Sequence, residues 1–153
     1  IVRVVREDKV VKGLLYAGTE SGLYLSFNGG QNWQKIQLNL PIVPINDLTI
    51  QSNDLVAATA GRSFWILDDL GAFQQSKGVF EDSLMLFQPK KTYRLFGGSS
   101  EDPRPGLGQN PKTGVAIDYY LGSAQDSAMM TLKVIDASGK VIRTVTNKIT
   151  DHF

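Results

Sequence analysis

The stretch SFNGGQNW, residues 26–33, sets two glycines, two asparagines and a serine ahead of a tryptophan. It lies between two candidate strands, 23–27 and 33–37, so it predicts a hairpin connection. Asn28, Gly29 and Gly30 tolerate left-handed backbone. Ser26 and Asn28 can bond local amides and fix the loop. Trp33 is expected to open the next strand and to fold back over the turn, burying a large apolar surface.

Working outward, the first seventy residues divide into runs of four to six residues bounded by Gly, Asn, Asp or Pro. Strands are predicted at 2–5, 14–18, 23–27, 33–37, 46–50, 55–59 and 63–67. An internal repeat links them. LYAGTESGLYLSFN (15–28) lies over LVAATAGRSFWILDD (55–69) with one inserted residue. Leu15 falls on Leu55, Ala17 on Ala57, Thr19 on Thr59, and Leu23-Tyr24-Leu25 on Phe64-Trp65-Ile66. A period of ~40 residues built from short strands is the mark of propeller blades. Tyr24 and Trp65 occupy equivalent positions, which predicts core between blades.

Residues 72–80 read as a short helix or a loop, with 84–87 and 92–95 as short strands. GGSSEDPRPGLGQNP (97–111) is a linker or exposed loop. Strand character returns in VAIDYYL (115–121), MMTLKVID (129–136) and KVIRTVTN (140–147), with a hairpin turn at 136–139 where Gly139 is free to take positive φ. Three strands are too few for a closed sandwich.

The fragment Ser26-x-Asn28-x-Gly30-x-x-Trp33 resembles the Asp-box, or BNR repeat, of sialidase-like and sortilin-like propellers, with Asn28 in place of the family's Asp. The second copy has Asp68-Asp69-Leu70-Gly71 there and no Trp, so its box is absent. The order of box, GRSFWILDD and IDYYL resembles the closing part of secreted BNR-repeat proteins labelled glycosyl hydrolase-like. NPKTGVAIDYYL and TLKVIDASGKVIRT resemble the opening of an Ig-like sandwich of the flagellar hook-assembly type. The resemblance implies an all-β chain: one to two terminal β-propeller blades at 1–70, a connecting segment at 71–110 and a partial Ig-like β-sandwich at 111–153. It implies a piece of a longer, secreted or cell-envelope protein of bacterial type. The implied partners are the rest of its own propeller and a glycan, peptide or protein ligand. In that family the box is a structural hairpin on the outer edge of the blade, so no chemistry is expected from it.

Composition limits the chemistry. With 16 basic and 15 acidic residues, the net charge of +1 gives no footprint for nucleic acid. No run approaches the ~18 apolar residues of a membrane span. Zero cysteines exclude disulfides, Cys-zinc sites and thiol nucleophiles. The single histidine, His152, reads as a tail residue. No metal, no cofactor and no complete catalytic set is expected. The rival expectation is a sialidase-like glycoside hydrolase whose catalytic residues lie mainly in other blades. A glycosidase needs paired carboxylates, and Glu7, Asp8, Glu20, Asp47, Asp68 and Asp69 are the available acids, read chiefly as solvated strand-end residues. The candidate binding face is Glu20, Arg62, Asp68 and Asp69, with the last two read foremost as a cap for a helix near 70–75. Open strand edges predict homo-oligomers.

Overall fold

The computed structural model describes residues 1–76, 78, 84–93, 114–122 and 130–146. The predicted linker at 97–111, His152, and residues 94 and 95 of one predicted strand lie outside them. The described chain is all-β, in small antiparallel sheets with one short helix. β1 (Val2–Glu7), β2 (Leu15–Thr19), β3 (Gly22–Ser26) and β4 (Gln34–Ile36) form a four-stranded meander. β5 (Ile45–Gln51), β6 (Asp54–Thr59) and β7 (Phe64–Leu67) form a three-stranded one. Where the first meander adds β4, the second turns into α1 (Gly71–Ser76).

The sequence repeat is a repeat of hydrogen bonds. Thr19 Oγ1 donates to the Gly22 carbonyl at 2.9 Å, and Thr59 Oγ1 donates to the Ser63 carbonyl at 2.7 Å. Gly29 N donates back to the Gly13 carbonyl, and Leu70 N to the Asn53 carbonyl, each at 2.9 Å. Gly13 and Asn53 both hold positive φ, 83° and 73°. Glu20 N bonds the Ile1 carbonyl as Ala60 N bonds that of Pro44. Each first strand shifts register at the same point, between Val2 and Val4 and between Ile45 and Asp47. The residues at the two shifts, Arg3 and Asn46, bond each other at 2.9 Å.

Alternation assigns the faces. On the first sheet Tyr16, Gly18, Leu23 and Leu25 share one face by register. This face packs on Ile45, Leu48, Leu55 and Ala57 of the second sheet, forming the core with Leu14, Leu40 and Leu70. Gly18 leaves no room between them: a Cβ there would lie 2.7 Å from Ile45 Cγ2 of the second sheet and from Val4 Cγ1 on the neighbouring strand. Arg6 strengthens the seam, donating from Nε to the Leu48 carbonyl at 2.9 Å and pairing with Asp47 at 2.7 Å.

Two smaller units follow. β8 (Leu84–Leu86) pairs with β9 (Tyr119–Leu121), joining the segment read as a connector to the segment read as a sandwich. Residues 115–118 alternate in polarity yet form no strand. The ladder ends because the Gln88 amide is taken by Gln75 Oε1 at 2.7 Å and Pro89 has no N–H to offer. Thr92 and Tyr93 are likewise irregular. β10 (Thr131–Ile135) and β11 (Val141–Thr146) form a hairpin. Its turn is the predicted one: Gly139 has φ 86°, and Asp136 Oδ1 accepts from Ser138 and Lys140.

Candidate functional site

The turn at 26–33 is built as its residues dictate. Ser26 is buried at the end of β3. Its Oγ accepts from Gly30 N at 2.9 Å and from Asn28 N at 3.4 Å, and donates to Asn28 Oδ1 at 3.1 Å. Asn28 Oδ1 also accepts from Asn32 N at 2.9 Å. Gly29 and Gly30 both hold positive φ, 68° and 91°. Trp33 departs from expectation. It precedes β4 instead of opening it, and it stays 40% exposed. Its indole lies over Gly30, 3.6 Å from where a Cβ would project, so it covers the turn on one side only.

Ser26→Ala removes the buried hydroxyl that accepts from the Gly30 and Asn28 amides, and about 1–2 kcal/mol of stability should be lost, read as a lower urea midpoint. Asn28→Asp should keep or raise that midpoint. Both groups that face Oδ1 are donors, and a charged acceptor strengthens such bonds.

The candidate binding residues fall at two ends of the stacked sheets. Glu20 and Arg62 sit in the equivalent turns β2–β3 and β6–β7. Glu20 is half of an exposed ion pair with Arg3 at 2.9 Å, an interaction worth about 0–1 kcal/mol. Arg62 is exposed, and its carbonyl accepts from Trp65 Nε1 at 2.9 Å. Asp68 and Asp69 lie at the opposite end, after β7. Asp69 Oδ1 accepts from Gly71 N and from Asn53 Nδ2, each at 3.0 Å, so it caps the start of α1. A polar groove of about 240 Å³ opens beside it, lined by Asn53, Gln75, Gln88, Lys90 and Asp118 among others.

The most constrained cluster is one that strand-end reasoning assigned to solvent. Asp8 is 6% exposed. Its Oδ1 accepts from the Val10 and Val11 amides at 2.8 Å each. Its Oδ2 accepts from the Tyr16 hydroxyl at 3.0 Å, and Gln74 Nε2 reaches both oxygens at 3.1–3.2 Å. Gln74 Nε2 also donates to Asn53 Oδ1 at 2.6 Å. Asp8, Gln74, Asn53 and Asp69 thus run in one chain from the end of β1 through α1 and the β5–β6 turn to the residue ahead of α1. Burial raises the Asp8 pKa, but hydrogen bonds from Gln74, the two amides and Tyr16 outweigh it and hold the carboxyl below its usual range. Burial pushes the Tyr16 phenol well above its usual value, and the Asp8 charge and hydrogen bond add to this. A carboxylate kept ionised and closed off from solvent anchors the fold; it is unsuited to donate a proton at neutral pH.

Among the described residues no group of three or more His, Cys, Asp or Glu could hold a metal ion, and no helix is long and apolar enough to cross a membrane. No family model, characterised protein or solved structure matches this chain.

Proposed function

We propose that the chain contributes consecutive blades of a BNR-type β-propeller and leads through a connector toward an Ig-like sandwich. It acts as a structural and binding module of a secreted or envelope protein whose ligand is a glycan, a peptide or another protein. The observation that carries this reading is the three-stranded meander repeated with matching hydrogen bonds, one sheet stacked face to face on the other. The Ser26–Trp33 turn supports it, since its serine, asparagine and glycine positions hold one another as a rigid hairpin. The β10–β11 hairpin supports a further sandwich: Ile142 and Val145 are exposed on it, and an isolated two-stranded hairpin is marginal in water. Glu20 is ion-paired with Arg3 and Asp69 caps α1, so neither serves as one of the paired carboxylates that a glycosidase needs.

The test is the mass and low-resolution shape of the natural gene product. A flat disc large enough for ~4–8 blades is expected. A compact particle of this chain's own 16.8 kDa would overturn the reading.

A further inference from the structure

The repeat leaves one strand position unfilled. β3 lies between β2 and β4 in the first sheet, but β7, its equivalent, has only β6 beside it among the described residues. Thr59 N donates to the Ser63 carbonyl at 3.1 Å and Trp65 pairs with Ala57, so Ser63, Trp65 and Leu67 turn their N–H and C=O toward β6. Phe64 and Ile66 turn theirs to the open edge. Their equivalents Leu23 and Leu25 face β4, opposite Ile36 and Gln34. The described chain does not return to fill the second edge itself. After β3 the Ser26–Trp33 turn leads back into β4, whereas after β7 Asp69 caps α1, Leu70 N bonds the Asn53 carbonyl and Gln74 reaches Asp8. The edge also differs from its counterpart in charge. Arg62 and Asp68 stand at its two ends, both exposed and neither in an ion pair among the described residues. The matching residues of the first sheet are Ser21 and Phe27, so a structural fourth strand is held there with no charge at either end.

We propose that the open edge of β7 receives an extended peptide of another protein as an antiparallel fourth strand, in the place that β4 holds in the first sheet. The inference rests on the reading of the chain as a binding module and names its ligand class. An unpaired row of N–H and C=O groups is a template for strand addition, in which main-chain bonds supply affinity and side-chain pockets supply selectivity. An antiparallel guest runs from Asp68 toward Arg62, so it carries a basic residue at its first end and an acidic one at its last. The guest residues opposite Ile66 and Phe64 fall beside those side chains, which are 60% and 72% exposed, so both are apolar. Ile36 occupies that row in the first sheet. The guest residue opposite Trp65 falls on the other face, where a cavity of about 40 Å³ bounded by Trp65, Leu67 and Leu38 takes a small side chain. The end charges select a partner's peptide over a further strand of the same polypeptide, because the filled edge of the first sheet does without them.

The test uses the natural gene product that contains this sequence and a fluorescently labelled probe, Lys-Thr-Val-Ser-Val-Thr-Glu, capped at both ends. Fluorescence anisotropy should show saturable binding that weakens as salt rises. N-methylation of both valines, whose amides face β7, should abolish it. N-methylation of the serine, whose amide faces away, should leave it. The double variant Arg62→Glu/Asp68→Lys alters two exposed side chains, and its circular dichroism spectrum and urea midpoint should match the wild type. It should bind the probe several-fold more weakly and prefer the end-swapped peptide Glu-Thr-Val-Ser-Val-Thr-Lys. The N-methyl comparison needs no variant and decides alone if the double variant does not fold. A gene product that binds no probe overturns the proposal, since its edge is then covered or unused. Binding that survives N-methylation of the valines overturns it, and so does a folded double variant with the wild-type preference between the two peptides. A gene product of 16.8 kDa that binds the probe would sink the blade reading alone, and a disc that does not bind would sink this proposal alone.

Discussion

Asp8→Ala should cost about 3–4 kcal/mol, a large share of the ~5–15 kcal/mol that holds an ordinary domain together. The substitution removes one side chain and strands four sets of donors: two backbone amides, the Tyr16 hydroxyl and the Gln74 amide. Every group facing the carboxylate is a donor, so Asp8→Asn does not rescue it fully. The asparagine NH2 must point at another donor, and a loss of about 2 kcal/mol is expected. The pH dependence has a definite sign. The folded Asp8 pKa is depressed, so its contribution is complete above the unfolded carboxylate value of ~3.9. It is lost as pH falls below that value toward and through the folded one. Urea midpoints measured at pH 7, 4 and 3 should fall more steeply for the wild type than for Asp8→Asn. Equal slopes for the two proteins would show that Asp8 titrates alike in the folded and unfolded chains. A midpoint for Asp8→Ala within the error of the wild type would show that the cluster does not anchor the fold.

Asp8 also shows what could and could not be read from the residues. The all-β class, the seven strands of the two meanders and the forty-residue repeat were legible, because each depends on neighbours a few positions apart. Thr19 and Thr59 illustrate this: a threonine ending a strand finds its acceptor three or four residues on, whatever the rest of the chain does. The burial of Asp8 depends on Gln74, sixty-six residues downstream. Nothing in a run such as Arg-Glu-Asp-Lys announces that a helix will close over it. The same limit explains residues 115–118. Their alternation is that of a strand, but strand formation needs a partner, and the partner ladder is cut off by Gln75 and Pro89. Trp33 shows a subtler failure. A tryptophan after a glycine turn does lie on that turn, but how far it is buried depends on what faces its other side. Of the candidate binding residues, the capping role of Asp69 was legible from the acidic pair ahead of a helix. The separation of Glu20 and Arg62 from Asp68 and Asp69 follows only once β3 and β7 are seen to run from one end to the other.

Gly18→Val should be nearly as damaging as Asp8→Ala, for the opposite reason: one side chain too many instead of one too few. Gly18 faces the second sheet with no room for a side chain: a single Cβ there would already sit 2.7 Å from Ile45 of that sheet and from Val4 on the neighbouring strand. Neither neighbour can retreat easily. Ile45 is fully buried and Val4 lies under the second sheet. The sheets must move apart, and overpacking of this kind costs about 1–3 kcal/mol for a small insertion and more for a branched one. Gly18→Ala is therefore expected to lose about 1–2 kcal/mol even after the gain of ~0.4–1 kcal/mol from a stiffer unfolded chain. Gly18→Val should lose about 3 kcal/mol or more. The internal control is Ala58, the equivalent residue on the open face of the second sheet. Ala58→Val, measured at a concentration where the chain is monomeric, should change stability by no more than about 0.5 kcal/mol. The two positions are equivalent in the repeat, on β2 and β6, and differ in whether a second sheet lies over them and in the cross-strand neighbour, Val4 beside Gly18 and Asp47 beside Ala58. Equal tolerance at 18 and 58 would mean that the sheets are not pressed together at Gly18. A steep cost at 18 with none at 58 would place the limit in the tight surroundings of Gly18, Ile45 across the joint and Val4 on the neighbouring strand.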